Sequence, residues 1–307
     1  MDKTLRRGSL EMTAAMLISG TIGWFVLVSG LPVLDVVFWR CVFGAATLLM
    51  ICAGFGFLRR DILSRTTFLL AVLSGVAIVG NWVLLFASYS RASIAIGTAV
   101  YNVQPFMLVG LAALFLGEKI TAQKLFWLAV SFLGMLAIVS AHGEQGQGGD
   151  DYLAGIALAL GAALLYAIAA LIIKRLSGTP PHLIALIQVS TGVLLLAPWA
   201  NLSAIPQQLE AWASLVTLGM VHTGVMYVLL YSAIQRLPTA ITGALSFIYP
   251  IAAIFVDWFA FGHRLEPLQW LGVAAILLAA AGMQQGWGSR IHRPALQSRT
   301  VDADQKM

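Results

Sequence analysis

Long apolar runs, rather than an alternation of apolar and polar positions, organise this chain. Ten stretches of roughly 17–24 residues (9–30, 34–57, 66–89, 94–116, 121–141, 152–173, 182–199, 211–232, 239–261 and 267–286) carry few charges and, at 1.5 Å of rise per residue, are each long enough to cross a hydrocarbon layer about 30 Å thick. Lipid offers backbone N–H and C=O groups no partners, and the runs are too long and too uniform for barrel strands, so helices are expected throughout. Short connections join them, which makes sequence neighbours antiparallel. The expected class is an all-α polytopic membrane protein with ten transmembrane helices.

Composition agrees and removes alternatives. Of 307 residues, 60% are hydrophobic and only 10% charged, with a mean hydropathy of +0.88, whereas a water-soluble protein carries about 25% charged residues. The ten spans leave no room for a soluble catalytic domain. Cys41 and Cys52 share one expected helix, about 16 Å apart along its axis, so neither a mutual disulfide nor a cysteine metal site is expected. The net charge of +5 does not point to nucleic acid, because basic residues sit singly or in pairs at helix ends rather than in tracts interleaved with aromatics. Met1–Arg7 leads directly into a full-length span, so no cleavable leader is expected.

Orientation follows from where Lys and Arg fall. With the N-terminus inside, fifteen of the eighteen lie in inside segments, Arg91 and Arg264 lie outside, and Arg40 lies within a span. The longest outside loop, His142–Asp151, is acidic and Gly-rich. Both termini are therefore expected to be cytoplasmic.

Sliding the chain against itself by 145 residues aligns Trp82–Pro105 with Tyr227–Pro250, with eight identities in 24 positions that include Arg91/Arg236 and Pro105/Pro250. Chance matching of Leu, Ala and Val is the competing explanation; the shared proline, the shared turn arginine and the unbroken register favour a repeat. The expected organisation is a cytoplasmic N-terminus (1–8), a first five-helix repeat (9–141), an extracytoplasmic linker (142–151), a second repeat (152–286) and a basic, polar cytoplasmic tail (287–307). Five spans is an odd number, so the second copy enters the membrane from the opposite side. Inverted repeats of this kind are a recurring plan of secondary transporters, since two mirrored halves can open alternately to each side of a shared central cavity.

Candidate residues for that path follow from the cost of burying polar groups in lipid. Pro105 and Pro250 lie near the middle of the fourth and ninth spans, where each removes a backbone hydrogen bond and is expected to bend the helix as a hinge. Tyr101, Asn102 and Gln104 adjoin one proline, and Ser246 and Tyr249 the other. Asn81 in the third span and His222 in the eighth align with Met226 and Ala77 respectively, and lie beside the aromatic stripes of Trp82 with Phe86 and Tyr227 with Tyr231. A plain packing face is the bland alternative for these stripes. Trp24 and Tyr166 occupy similar places in the first and sixth spans as candidate gates, or as packing residues. Arg40 has two readings: a side chain that snorkels or pairs with Asp35 or Asp257, or a guanidinium that receives a substrate carboxylate. Its rough counterpart is Gln188. Glu11, Glu118, Glu266 and Asp257 lie near span ends and read as interfacial.

Two halves of five spans, the Trp39-Arg40 pair, Asn102-x-Gln104-Pro105 and the exit turn Gly117-Glu118-Lys119 together resemble the EamA branch of the drug/metabolite transporter superfamily, most nearly its bacterial aromatic amino-acid exporters. The resemblance covers about residues 9–286. It implies an inner-membrane exporter with ten helices around a cavity lined mainly by spans one, three, four, six, eight and nine. The second copy's exit turn reads Gly262-His263-Arg264 and lacks the acid.

The function expected on these grounds is secondary export of amino acids with aromatic or other apolar side chains. Arg40, Asn81, Asn102 and Gln104 would recognise the zwitterion, and aromatic walls would face the ring. Efflux of other metabolites or lipophilic compounds is the same-class rival. An intramembrane enzyme lacks its His-Glu-x-x-His helix or paired carboxylates, no Walker-type loop is present, and a passive channel does not need paired inverted breaks. No cofactor, metal, nucleic acid or obligate protein partner is called for beyond substrate and bilayer.

Overall fold

The computed structural model describes residues 3–58, 63–92, 97, 100–140, 150–201, 206–261 and 267–287. Most of the linker, Arg59 and Arg60, the turn Gly262-His263-Arg264, Glu266, the tail beyond 287 and the Asp257 side chain lie outside these residues.

The helices are α1 (Lys3–Ser19 continued by Ile22–Ser29), α2 (Val33–Gly54), α3 (Arg65–Ala92), α4 (ending in Gln104–Leu116), α5 (Ala122–Ser140), α6 (Asp150–Arg175), α7 (Pro181–Leu196), α8 (Leu209–Arg236, with a π-helical turn at Met220–Val225), α9 (Thr239–Ser246 continued by Ile248–Phe261) and α10 (Pro267–Gln285). α1, α2, α3, α6 and α8 are individually long and apolar enough to cross a bilayer, and the other five are shorter apolar helices. Among the described residues the protein is an all-α membrane protein of ten helices. Large apolar side chains such as Leu114, Leu194 and Phe259 are exposed, while Arg40, Asn81, Gln188 and His222 are buried. A membrane solvent produces this arrangement, because lipid accepts Leu and Phe and rejects unpaired polar groups.

The helices pair in a pattern that maps onto itself when each number is raised or lowered by five. α3 packs on α6 as α8 packs on α1; α3 touches α7 as α8 touches α2; α4 lies on α6 as α9 lies on α1. The pairs α2·α7, α4·α9 and α5·α10 map onto themselves and lie across the pseudo-two-fold axis. Because each half contains five spans, that axis lies in the membrane plane, and the halves are inverted repeats interleaved helix by helix.

The prolines act differently from the expected mid-helix kinks. α4 breaks at Asn102–Val103 and α9 at Phe247, one turn before the prolines, and a new helical segment begins at Gln104 or Ile248. Pro105 and Pro250 thus occupy the first turns of the second segments, where a missing N–H is tolerated. Two interruptions lack any proline: α1 is broken at Gly20-Thr21, where Thr21 Oγ1 donates to the Ile18 carbonyl at 2.8 Å, and α8 widens into its π-turn.

Close contact between the halves depends on small residues. A Cβ added at Gly219 of α8 would lie 2.2 Å from Phe43 Cβ of α2, and one at Gly44 would lie 2.7 Å from Thr223 Cγ2. Gly219→Ala is therefore expected to destabilise the detergent-solubilised protein by about 1–3 kcal/mol, the usual cost of overpacking. Gly54→Ala, which meets nothing within 4 Å, should leave the melting temperature unchanged. Equal melting temperatures for the two variants would contradict the packing.

Candidate functional site

The helix interruptions converge on a central cavity of about 290 Å³, near the lower end of small-molecule pockets. Its wall is built from register-matched positions of both copies: Asn81 with Met226, Trp82 with Tyr227, Leu85 with Leu230, Tyr101 with Ser246, and Gln104 with Tyr249. Positions related by the repeat can surround one space only if that space lies on the pseudo-two-fold axis. Trp82 and Tyr227 meet there directly: the indole Nε1 donates to the Tyr227 hydroxyl at 2.8 Å, with ring centroids 5.5 Å apart and nearly perpendicular. Trp24, Arg40, Asn102 and Tyr166 complete the set of expected site residues on the wall.

Backbone breaks explain why polar side chains gather here. Ser19 and Gly20 at the α1 break, Asn102 and Gln104 at the α4 break, and Ser246 at the α9 break all border the cavity. Irregular backbone at membrane depth is tolerated where protein or a wet cavity can serve the freed groups. The prolines stand behind the wall, where Pro105 lies against Gly243 of α9. Asn81 donates to the Ala162 carbonyl at 2.8 Å, which ties α3 to α6. Gln104 Oε1 is buried and has no hydrogen-bond partner among the described residues, although it faces the cavity.

Arg40 neither snorkels nor pairs with Asp35. Its side chain is buried, its Nε donates to Thr223 Oγ1 at 2.8 Å, and its Nη2 donates to the His222 carbonyl at 3.1 Å. Asp35 instead accepts the backbone N–H of Asn201 at 2.8 Å. The Arg40 guanidinium carbon lies 4.2 Å from the centroid of Trp82 and 5.8 Å from that of Tyr227, in reach of cation–π attraction. Among the described residues no carboxylate forms an ion pair with it. A cation held by neutral partners at the edge of a cavity has the charge and the free N–H groups to attract an anionic group.

His222 lies behind this wall rather than on it. Its ring nitrogen Nε2 meets Thr21 Oγ1 at 2.6 Å, and Nδ1 meets the Thr217 carbonyl at 3.3 Å, so it joins the α1 break to the π-turn that holds Arg40. Sequence reasoning did not anticipate that π-turn, nor the relay in which Tyr231 donates to Gln188 Oε1 while Gln188 Nε2 donates to Ser74 at 2.7 Å. The cluster Gly219, Thr223 and Gly224 around His222 was the available signal, since two glycines flanking a threonine loosen a helix.

The EamA-like transporter family matches the chain twice, over residues 6–140 and again over 153–284. The chain belongs to the EamA-like transporter family. It is accordingly a membrane transporter of the drug/metabolite transporter superfamily and not an enzyme. The uncharacterized transporter YxxF of Bacillus subtilis is 29% identical over 277 residues, 89% of this chain and 88% of the relative. A riboflavin transporter of Vibrio cholerae is 26% identical over 71% of each chain. The pseudopaline exporter CntI of Pseudomonas aeruginosa is 26% identical over 62% of this chain and 65% of its own length. A solved crystal structure superposes with a TM-score of 0.77 at 18% identity, covering 89% of this chain and 96% of that one, which establishes the shared fold.

Replacing buried ionic groups by apolar ones of similar volume is often neutral for stability when no opposite charge is left behind, and Arg40 forms no ion pair among the described residues. Arg40→Met is therefore expected to reach the membrane in wild-type amount and to melt within about 3 °C of wild type, a shift of roughly 1 kcal/mol or less. A drop of 10 °C would assign the guanidinium to folding instead of to the cavity.

Proposed function

We propose that this transporter is a secondary exporter of amino acids, with aromatic or other apolar side chains preferred, and works by alternating access in the bacterial inner membrane with both termini cytoplasmic. The observation that carries the reading is the pairing, in one cavity, of an aromatic wall with a buried guanidinium that has no carboxylate partner among the described residues. A substrate carboxylate would displace water from Arg40, and its ammonium would donate to Gln104 Oε1, the acceptor left over in the wall. The side-chain ring would lie against Trp24, Tyr101, Tyr166 or Tyr249. Asn81, Asn102, Trp82, Tyr227 and Ser246 would shape and orient the pocket, His222 would hold the π-turn behind Arg40, and Pro105 and Pro250 would let the half-helices swing. Fifteen of eighteen basic residues on the N-terminal face support the orientation.

A second reading is efflux of other small metabolites, favoured by relatives described as a riboflavin transporter and a pseudopaline exporter. The cavity chemistry then still calls for a flat or apolar body that carries an anionic or strongly accepting group.

Counterflow in proteoliposomes with a panel of labelled amino acids tests both. The proposal expects phenylalanine or tryptophan to exchange at least tenfold faster than aspartate or lysine. Gln104→Ala and Tyr249→Ala should each lower that flux severalfold, in line with the loss of one hydrogen bond or one ring contact worth about 1 kcal/mol. Exchange of flavins but not amino acids selects the second reading, and equal leakage of every solute indicates a channel.

A further inference from the structure

Among the described residues, the cavity is closed toward the face that carries the N-terminus and unclosed toward the other. Toward the face that carries the N-terminus its last wall residues are Met16, Leu230 and Ser246, and beyond them Met12, Ala15, Ala233 and Ala240 are fully packed. Toward the opposite face the lining continues through Trp24, 40% exposed, to Val26 and Val256.

A charged layer caps the closed side. Arg236 at the end of α8 pairs with Glu11 of α1 at 2.6 Å. Glu118, just after α4, pairs with Lys174 at the end of α6 at 3.2 Å and accepts the Thr239 hydroxyl at the start of α9. Lys174 also donates to the Leu237 carbonyl at 2.7 Å. Gly117 aims Glu118 at these partners by ending α4 in the left-handed region at φ 67°, a conformation that glycine adopts without strain. Burial opposes the Glu118 charge, but the Thr239 hydroxyl and the Lys174 ammonium outweigh it and hold the carboxyl below its usual range. These contacts join α1, α4, α6, α8 and α9, five of the helices that wall the cavity.

The repeat supplies a built-in comparison. Because the halves are inverted, positions offset by 145 lie on the opposite face of the membrane. There Glu118, Arg236 and Thr239, which lie within the aligned register, correspond to His263, Arg91 and Ile94. Only Arg91 keeps its type, and no carboxylate remains to pair with it at these positions. Two inverted copies of one sequence would make the two gated states equal in energy. An ion pair that Glu118 can form and the matched His263 cannot breaks that tie.

We propose that Glu118 is the centre of a one-sided ionic latch that holds the transporter shut toward its N-terminal face and sets that closure as the resting state. The latch is independent of which solute the cavity accepts. Its test is the access of a thiol in the cavity: Ser246→Cys in proteoliposomes, labelled by a membrane-impermeant maleimide applied to either face, with the wild-type protein giving the background of the buried Cys41 and Cys52.

With the latch intact, labelling from the N-terminal face is slow and labelling from the opposite face is fast. Adding Glu118→Gln should raise the N-terminal-face rate about tenfold, the population shift expected from losing one charge-assisted contact. Arg236→Gln should act in the same direction, and the exchanged pair Glu118→Lys with Lys174→Glu should restore slow labelling. Unchanged rates from both faces in both single variants, at wild-type melting temperature, would overturn the latch. So would an exchanged pair that labels as fast as Glu118→Gln. A failure of amino-acid counterflow would strike the substrate reading and leave these rates as they are.

Discussion

A guanidinium cannot shed its charge in a bilayer, so it must find partners inside the protein or be expelled to the surface. Even lenient scales put a mid-membrane arginine at about 2.5–3.5 kcal/mol unfavourable. Arg40 meets this constraint with a hydroxyl, one backbone carbonyl and two aromatic faces. The carbonyl comes from the π-turn of α8, and the π-turn is held by His222 and Thr21 across the α1 break. Much of the irregular backbone in α1 and α8 can be understood as the support that one buried cation requires, and the same support leaves that cation facing the cavity.

Symmetry explains why the cavity exists and why it is central. Neighbouring helices mostly come from opposite copies, so neither half encloses a space alone. The wall is assembled from equivalent positions, and the Trp82–Tyr227 contact joins one such pair across the axis. Departures from symmetry then become informative. On the wall they are chemical, with Tyr101 opposite Ser246 and Gln104 opposite Tyr249, which gives a pocket whose two ends differ. At the faces they are electrostatic, with a carboxylate layer on one side and none at the matched positions on the other.

The ten spans and the inverted repeat were legible because they are written in long-range regularities: apolar runs of membrane length, and a proline and an arginine recurring at one offset. Most wall residues were legible because polar groups in an apolar run are expensive and therefore conspicuous. Finer geometry was not. Pro105 and Pro250 signalled broken helices, but the breaks fall at Asn102–Val103 and Phe247, since proline is better accommodated in a first turn than in mid-helix. The break at Gly20-Thr21 carries no proline, and the π-turn depends on tertiary bonds to Arg40 and Thr21 that no local pattern encodes. Glu118 read as an ordinary interfacial acid because its partners, Lys174 and Thr239, lie 56 and 121 residues away.

The most direct test of the central claim, that Arg40 presents an unpaired cation to a substrate carboxylate, compares phenylalanine with phenylalanine amide as competitors of counterflow in the wild-type protein and in Arg40→Met. The amide keeps the ring and the ammonium and lacks only the anionic oxygen. Arg40 as receptor requires the wild type to favour the acid by at least tenfold, about 1.4 kcal/mol, and the variant to lose that preference. Equal preference for the acid in both proteins would place carboxylate recognition elsewhere and contradict the account.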